Sequence, residues 1–185
     1  MLPARRQSDP HQLVVGMSGL KLGDRFLQIG CAQGGRLGAL AVKVGLSGHA
    51  AAAVPDDAAA NRARKGAEQA GAFVEIVTGS LRMLPFEADA FGLVIVDDTD
   101  GLLGTMTSDE RVGVLREVYR VLAPGGRAQV VSALPASGLG ALFSRGPKTP
   151  PLDAEPLLDA AGFSLTRVLG EREELRFTEA VKRRA

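Results

Sequence analysis

Six residues, Gly30-Cys31-Ala32-Gln33-Gly34-Gly35, follow a short apolar run (Arg25-Phe26-Leu27-Gln28-Ile29) and precede a stretch of helical periodicity. Glycines between a strand and a helix let the backbone approach a ligand, and the first free N–H groups of the helix then face it. The spacing is not that of a dinucleotide site, because G-x-G-x-x-G requires glycine where Ala32 stands, nor of a P-loop, because no Lys-Ser/Thr pair follows. On the loop alone, a ligand cradle and a plain strand-to-helix turn are equally good readings.

A second chemical group is the carboxylate cluster Asp97, Asp98 and Asp100 after the apolar run 91–96. Mutual repulsion could raise one carboxyl pKa and make a general base. A solvated loop with a helix cap explains the cluster more simply and is the expectation here. His11 could face an acceptor from an N-terminal segment, but a packing or surface histidine is expected, and His49 is set aside. Ser137 and Ser144 lack a G-x-S-x-G context, so a hydrolase is excluded. Cys31 is the one cysteine, which excludes an internal disulfide and a Cys-rich zinc site; it is expected to fill space under the loop. No catalytic residue and no metal ligand set is assigned.

The elements that must position these groups alternate from residue 24 to residue 133. After the first strand, Leu37, Leu40, Ala41 and Val44 mark one helix face, ended by Gly45. His49 to Val54 is expected as strand two. Asp56 or Asp57 then caps a helix that stops at Gly71. Phe73 to Val77 alternates as strand three, and Phe91 to Val96 is a central strand buried on both faces. Thr107 and Glu110 form a capping box for a helix with Leu115, Val118, Tyr119 and Leu122 inward; Pro124-Gly125-Gly126 ends it before a strand at 128–133. Residues 134–151, with Pro135, Gly138, Gly140, Gly146, Pro147, Pro150 and Pro151, read as a loop, followed by a helix near 153–161 closed by Gly162. Two strands, 163–169 and 175–181, are joined by Gly170-Glu171-Arg172-Glu173 as an antiparallel hairpin. The rhythm predicts an open, doubly wound, mostly parallel α/β sheet.

Within that frame, Gly23-Asp24-Arg25-Phe26-Leu27-Gln28-Ile29-Gly30-Cys31-Ala32-Gln33-Gly34 resembles the first motif of class I S-adenosylmethionine-dependent methyltransferases, which usually reads G-D-x-V-L-D-x-G-C-G-x-G. Leu84-Pro85-Phe86 through Phe91-Gly92-Leu93-Val94 is similar to the family's L-P-F-x-x-x-x-F-D-x-V stretch. Glu117 through Gly126 is similar to its E-x-x-R-V-L-K-P-G-G signature, and Ala161-Gly162-Phe163 to its A-G-F. The motifs span roughly residues 12–182 in order, nearest the small methyltransferases acting on quinones and lipids. The resemblance implies a seven-stranded Rossmann-like methyltransferase sheet with a C-terminal antiparallel hairpin. It further implies S-adenosylmethionine as cofactor and a site formed by Gln28, Gly30, Ala32, Gly34, Val54, Pro55, Ser80, Leu81 and Asp97.

The same comparison exposes departures. Gln28 stands for the acidic residue that organises the methionine end, Ala32 for the middle glycine, and Val54 for the carboxylate that takes the ribose hydroxyls. Ser80 stands for the acid that reads adenine, and Gly92 for the aspartate of F-D. A hydrogen bond to a charged group contributes ~1.5–3 kcal/mol, so losing the ribose carboxylate weakens binding roughly ten- to a hundredfold. Val54→Asp is therefore expected to tighten it, while Asp56 is expected to serve as a helix cap.

Two functions stay open at this point: methyl transfer to an unidentified small-molecule acceptor through an altered pocket, and a non-catalytic pseudo-methyltransferase acting as a binding or scaffolding subunit. Among 185 residues, 45% are hydrophobic and 23% charged, with net charge +1, which is ordinary for one globular domain. That balance, with no Trp and one Tyr, gives no case for nucleic acid as partner. Arg5-Arg6 and Lys182-Arg183-Arg184 are expected as solvated ends. No apolar h-region follows Met1 and no apolar run approaches a membrane span, so a cytoplasmic protein is expected. Both a homodimer and a hetero-complex remain open. The expected organisation is one domain, 1–185: an N-terminal helical lid (1–20), a cofactor-binding core (24–133), and a C-terminal helix with the final strand pair (134–185).

Overall fold

The computed structural model describes residues 11–135 and 152–184. Half of the expected lid, with Arg5 and Arg6, and most of the proline- and glycine-rich stretch lie outside the described residues; that stretch includes Ser137, Gly138, Gly140, Ser144, Gly146, Pro147, Pro150 and Pro151.

The elements are α1 (Gln12–Ser18), β1 (Arg25–Ile29), α2 (Gly34–Val44), β2 (His49–Val54), α3 (Asp57–Ala70), β3 (Glu75–Thr78) and β4 (Phe91–Asp98). A 3-10 turn (Leu103–Thr105), α4 (Ser108–Val121), β5 (Leu122–Ala133), α5 (Glu155–Ala160), β6 (Ser164–Arg172) and β7 (Leu175–Val181) follow. The seven strands make one sheet, β3-β2-β1-β4-β5-β7-β6. Strands β1 to β5 run parallel, and β7 is antiparallel to both β5 and β6. This is the doubly wound sheet with a C-terminal hairpin that the sequence predicts, and its order reverses between β1 and β4.

Each face of the sheet is sealed by a different helix set, which follows from the period-2 alternation of the strands. Leu27, Ile29, Val94 and Val96 pack with Val114, Leu115 and Val118 of α4 and Leu158 of α5. Phe26, Leu93 and Ile95 pack with Val14 of α1, Leu37, Leu40 and Val44 of α2, and Ala59, Ala60 and Ala63 of α3. The caps match expectation: Asp56 accepts the Ala59 N–H at 2.8 Å, Gly71 closes α3 in the left-handed region, and Thr107 with Glu110 completes a capping box on α4.

Glu117 accepts the Leu84 N–H at 2.8 Å, while Arg120 donates to the carbonyls of Leu84 (3.0 Å) and Phe86 (2.8 Å). The L-P-F stretch and the E-x-x-R signature, far apart in sequence, are thus one structural unit.

Five boundaries differ. β3 begins at Glu75, because Phe73 lies outside the sheet with 83% of its surface exposed. β4 continues through Asp97 and Asp98, drawn on by pairing with Val131 and Ser132. β5 begins at Leu122, which pairs with Phe91 before a register shift at Pro124-Gly125-Gly126, so Leu122 belongs to the strand and not to α4. Tyr119 is only half-buried, edge-on to Phe163. The hairpin turn is Glu173-Glu174, both with positive φ (49° and 60°), in place of the four-residue link, since a two-residue turn of that hand matches strand twist. α5 starts at Glu155, two residues later than expected.

Candidate functional site

The loop from Gly30 to Gln33 joins β1 to α2 at the point where the strand order reverses, the place where open α/β sheets bind ligands. Gly30 has φ +77°, and a Cβ there would lie 2.7 Å from Leu102 Cδ2 and 3.0 Å from the Asp97 carbonyl, so both conformation and space require glycine. Its N–H donates to the Ala53 carbonyl at 2.8 Å, which fastens the loop to the end of β2.

Beneath the loop the polar side chains are hydrogen-bonded to it and to each other, with two buried atoms, Gln28 Oε1 and Arg36 Nε, left over. Gln28 is wholly buried; its Nε2 donates to the Gly30 carbonyl at 3.0 Å, and its Oε1 has no partner. Arg62 Nε donates to the Cys31 carbonyl at 2.8 Å. The Ala32 N–H donates to Asp97 Oδ2 at 3.1 Å, while Asp97 Oδ1 accepts from Arg36 Nη1 (2.7 Å) and Thr99 Oγ1 (2.7 Å). Arg36 sits in the first turn of α2, where a cation opposes the helix dipole, and its buried guanidinium therefore needs this carboxylate. Removing one partner of such a pair costs about 3–5 kcal/mol.

Asp97 and Asp98 are buried, so the expected solvated loop is corrected: β4 carries both into the interior. Asp98 accepts the Leu103 N–H at 2.7 Å and so holds the 3-10 turn, with Ser132 Oγ at 3.4 Å. Burial pushes its pKa up to about 6, against the lowering effect of those hydrogen bonds. Burial and then the Asp97 charge also push Asp100 up. Burial, followed by Asp97, raises the Cys31 thiol to about 11, which keeps it protonated and unreactive, in keeping with a filler.

Two adjoining depressions open above the loop. One, of 340 Å³, is lined by Gly30, Asp56, Arg62, Asp100 and Leu102; the other, of 360 Å³, by Ser80, Leu81, Glu110 and Val114. Both include Pro55 and Met106, and together they form one trough along the carboxyl ends of β1 and β2. A larger hollow of 610 Å³ lies by Gly45, Gly48 and Phe73, at the opposite strand ends. It is walled by the α2–β2 and α3–β3 loops at the carboxyl ends of two helices, with no helix N-terminus turned toward it and the His49–Glu75 pair (2.9 Å) as its ion pair, so the trough is the better candidate.

Of the residues expected to bind cofactor, Gly30, Pro55, Ser80 and Leu81 line the trough. Gln28, Ala32 and Asp97 lie beneath it and hold the loop. Gly34 is a helix contact: a Cβ there would meet the Arg62 carbonyl and Gly66 Cα, and one at Gly66 would meet the Gly34 backbone. Val54 is wholly buried in the layer under α2 and α3 and lines neither depression. His11 packs against Gly35 and lines a groove along α1, α2 and α3, away from the trough. The structure adds Arg36, Arg62, Leu102 and Met106. Arg36 left one legible signal, a cation in a helix's first turn beside its apolar stripe; the other three depend on how loops and helices meet.

Among the described residues no helix is long and apolar enough to cross a membrane, and no cluster of three His, Cys, Asp or Glu could hold a metal ion. A family model described as a methyltransferase domain matches residues 26–126, more than half of the chain. No curated protein matches. Among solved structures, a SAM-dependent methyltransferase from Aquifex aeolicus is 20% identical with TM-score 0.73, covering 97% of this chain and 93% of that one. PigF with SAH is 19% identical with TM-score 0.65, covering 91% of this chain and 53% of that one. The [4+2]-cyclase SpnF is 19% identical with TM-score 0.65, covering 95% and 80%. At these identities the likeness establishes the fold, and the cyclase is a reminder that one fold hosts several chemistries.

Proposed function

Because this chain belongs to the class I S-adenosylmethionine-dependent methyltransferase family, we propose that it transfers the methyl group of S-adenosylmethionine to a small-molecule acceptor. The observation that carries this reading is the trough at the strand-order reversal, floored by the glycine loop. The residues present suit the nucleoside part of that cofactor. Pro55, Leu81, Met106 and Val114 offer apolar surface for a flat base, and Ser80 a polar group at its edge. Asp56, exposed and lining the trough, supplies a carboxylate to a ribose diol in place of Val54, one of its oxygens remaining on the Ala59 N–H. Asp100 places an acidic group on the wall facing Asp56, suited to a sulfonium.

When bound, S-adenosylmethionine supplies an already activated methyl group, so the chain's contribution is positioning and exclusion of water. Gly30 and Leu102 set the floor and Met106 the far wall. No side chain is assigned as a base, and an acceptor that arrives deprotonated needs none. One sheet running through all seven strands supports treating the chain as one domain with residues 24–133 as its cofactor-binding core, and the single buried thiol suits a cytoplasmic location.

The buried Arg36–Asp97 pair, beneath a loop with three backbone groups already hydrogen-bonded to side chains, favours one second reading, a non-catalytic binding or scaffolding subunit. Isothermal titration with S-adenosylmethionine and S-adenosylhomocysteine separates the two. Binding in the micromolar range supports methyl transfer, and no heat at about 1 mM ligand removes it. Light scattering on the same sample reads the assembly state.

A further inference from the structure

We propose that the chain's own side chains close the glycine loop to the amino-acid end of the cofactor, so that the site recognises the 5′-thioadenosine part and binds a thioether nucleoside lacking the amino acid about as tightly as the whole molecule. This rests on the reading of the trough as the cofactor site.

A strand-to-helix loop would read an amino-acid zwitterion through its backbone, carbonyls accepting from the ammonium and N–H groups donating to the carboxylate. Three of those groups are already engaged by side chains from three elements. The Gly30 carbonyl accepts from Gln28 of β1 (3.0 Å), the Cys31 carbonyl from Arg62 of α3 (2.8 Å), and the Ala32 N–H donates to Asp97 of β4 (3.1 Å).

Two of the three partners, Gln28 and Asp97, are buried and not easily moved, while Arg62 reaches the Cys31 carbonyl from the exposed side of α3. Turning the Gln28 amide over would set its oxygen against the Gly30 carbonyl, two acceptors face to face, so the observed orientation is fixed. Asp97 is itself anchored by Arg36 and Thr99, and its side chain is 1% exposed against 6% for Arg36. Displacing it for a ligand carboxylate would strand a buried guanidinium whose Nε already has no partner. The space beside Gly30 is also taken, by Leu102 and the Asp97 carbonyl. The nucleoside stretch of the trough differs: Pro55, Asp56 and Ser80 are exposed and need no displacement.

The test is calorimetric titration of the intact chain with S-adenosylhomocysteine and with methylthioadenosine, two thioethers of the same nucleoside that differ in the amino-acid end. The expected result is a pair of dissociation constants within about tenfold of each other. A preference for S-adenosylhomocysteine greater than about tenfold overturns the inference and leaves the proposed function standing. No binding of either at about 1 mM overturns the proposed function and this inference with it. Arg62→Met provides a second arm. Arg62 lies on the exposed side of α3, so the variant is expected to fold, and it frees the Cys31 carbonyl. The affinity ratio is expected to move toward S-adenosylhomocysteine by about threefold or more, and an unchanged or reversed ratio refutes the closure.

Discussion

Val54→Asp separates family logic from the physics of this chain. By position in the motif, the substitution restores a ribose-binding carboxylate and should tighten cofactor binding. In the structure, Val54 has no exposed surface and packs in the layer that holds Phe26, Leu37, Ala59 and Ala60. Losing the apolar burial of a valine costs about 1.5–3 kcal/mol, and a carboxyl placed in that layer has no donor to receive it. Burial favours its neutral form, so its folded-state pKa rises above the unfolded value of about 3.9. A raised carboxyl pKa means that the native state holds the proton more firmly than the unfolded chain. The damage is therefore greatest above the folded pKa and fades as pH falls toward the unfolded one. At pH 7.5 the two losses together come to about 3–5 kcal/mol, a large share of the 5–15 kcal/mol of a typical domain. Urea unfolding of wild type and variant at pH 7.5 and pH 5 measures this, the deficit expected to be smaller at the lower pH. A variant as stable as wild type at pH 7.5 that binds S-adenosylmethionine about tenfold tighter would refute the reasoning, because it would place position 54 in the trough.

Other outcomes follow from the same geometry. Asp98, raised from 3.8 to about 6 by burial, holds its proton more firmly in the native state, so wild-type stability relative to Asp98→Asn should fall as pH rises from about 4 to about 6 and level off above that. The full difference would be about 3 kcal/mol, and partial solvation cuts the expected change to about 1–2 kcal/mol, read from paired urea midpoints between about pH 4 and pH 7. Arg36→Met should lose about 3–5 kcal/mol, and adding Asp97→Asn should return part of it; a single variant within about 1 kcal/mol of wild type would show that the pair is not buried in solution. The Cys31 thiol, raised to about 11, should react with a maleimide at pH 8 at least about tenfold more slowly in the folded chain than in urea. Thr107→Ala should cost about 0.5–2 kcal/mol by thermal melting, the loss of one capping oxygen.

The scaffold was legible because its signals are local. Leu37, Leu40, Ala41 and Val44 repeat at the helical period, and Asp56, Gly71, Thr107 and Glu110 are caps whose chemistry acts within one turn. The boundaries that moved are set by partners. β5 starts at Leu122 because Phe91 is there to pair with, and the hairpin closes on Glu173-Glu174 because strand twist outweighs the mild strain of two left-handed glutamates. For the candidate site, the sequence points to the loop and not to its wiring. The sequence puts the loop after β1, but that Asp97 reaches back to Ala32 and Arg36 depends on two strand ends meeting across the sheet. Gly34 shows the same limit: in the motif it reads as a ligand-facing glycine, and in space it is where two helix backbones touch.

That contact has a mechanical consequence. With Gly34 against Gly66, and Arg62 reaching back to Cys31, α2, α3 and the loop between β1 and α2 form one stiff block. Asp56, at the head of α3, is carried on the same block. The facing wall, Asp100 through Met106, is built from a single short turn pinned to β4 through Asp98 and the Leu103 amide. The trough thus lies between two unlike walls, a block of two helices on one side and, on the other, a single turn held by Asp98 from β4 and by Arg111 from α4.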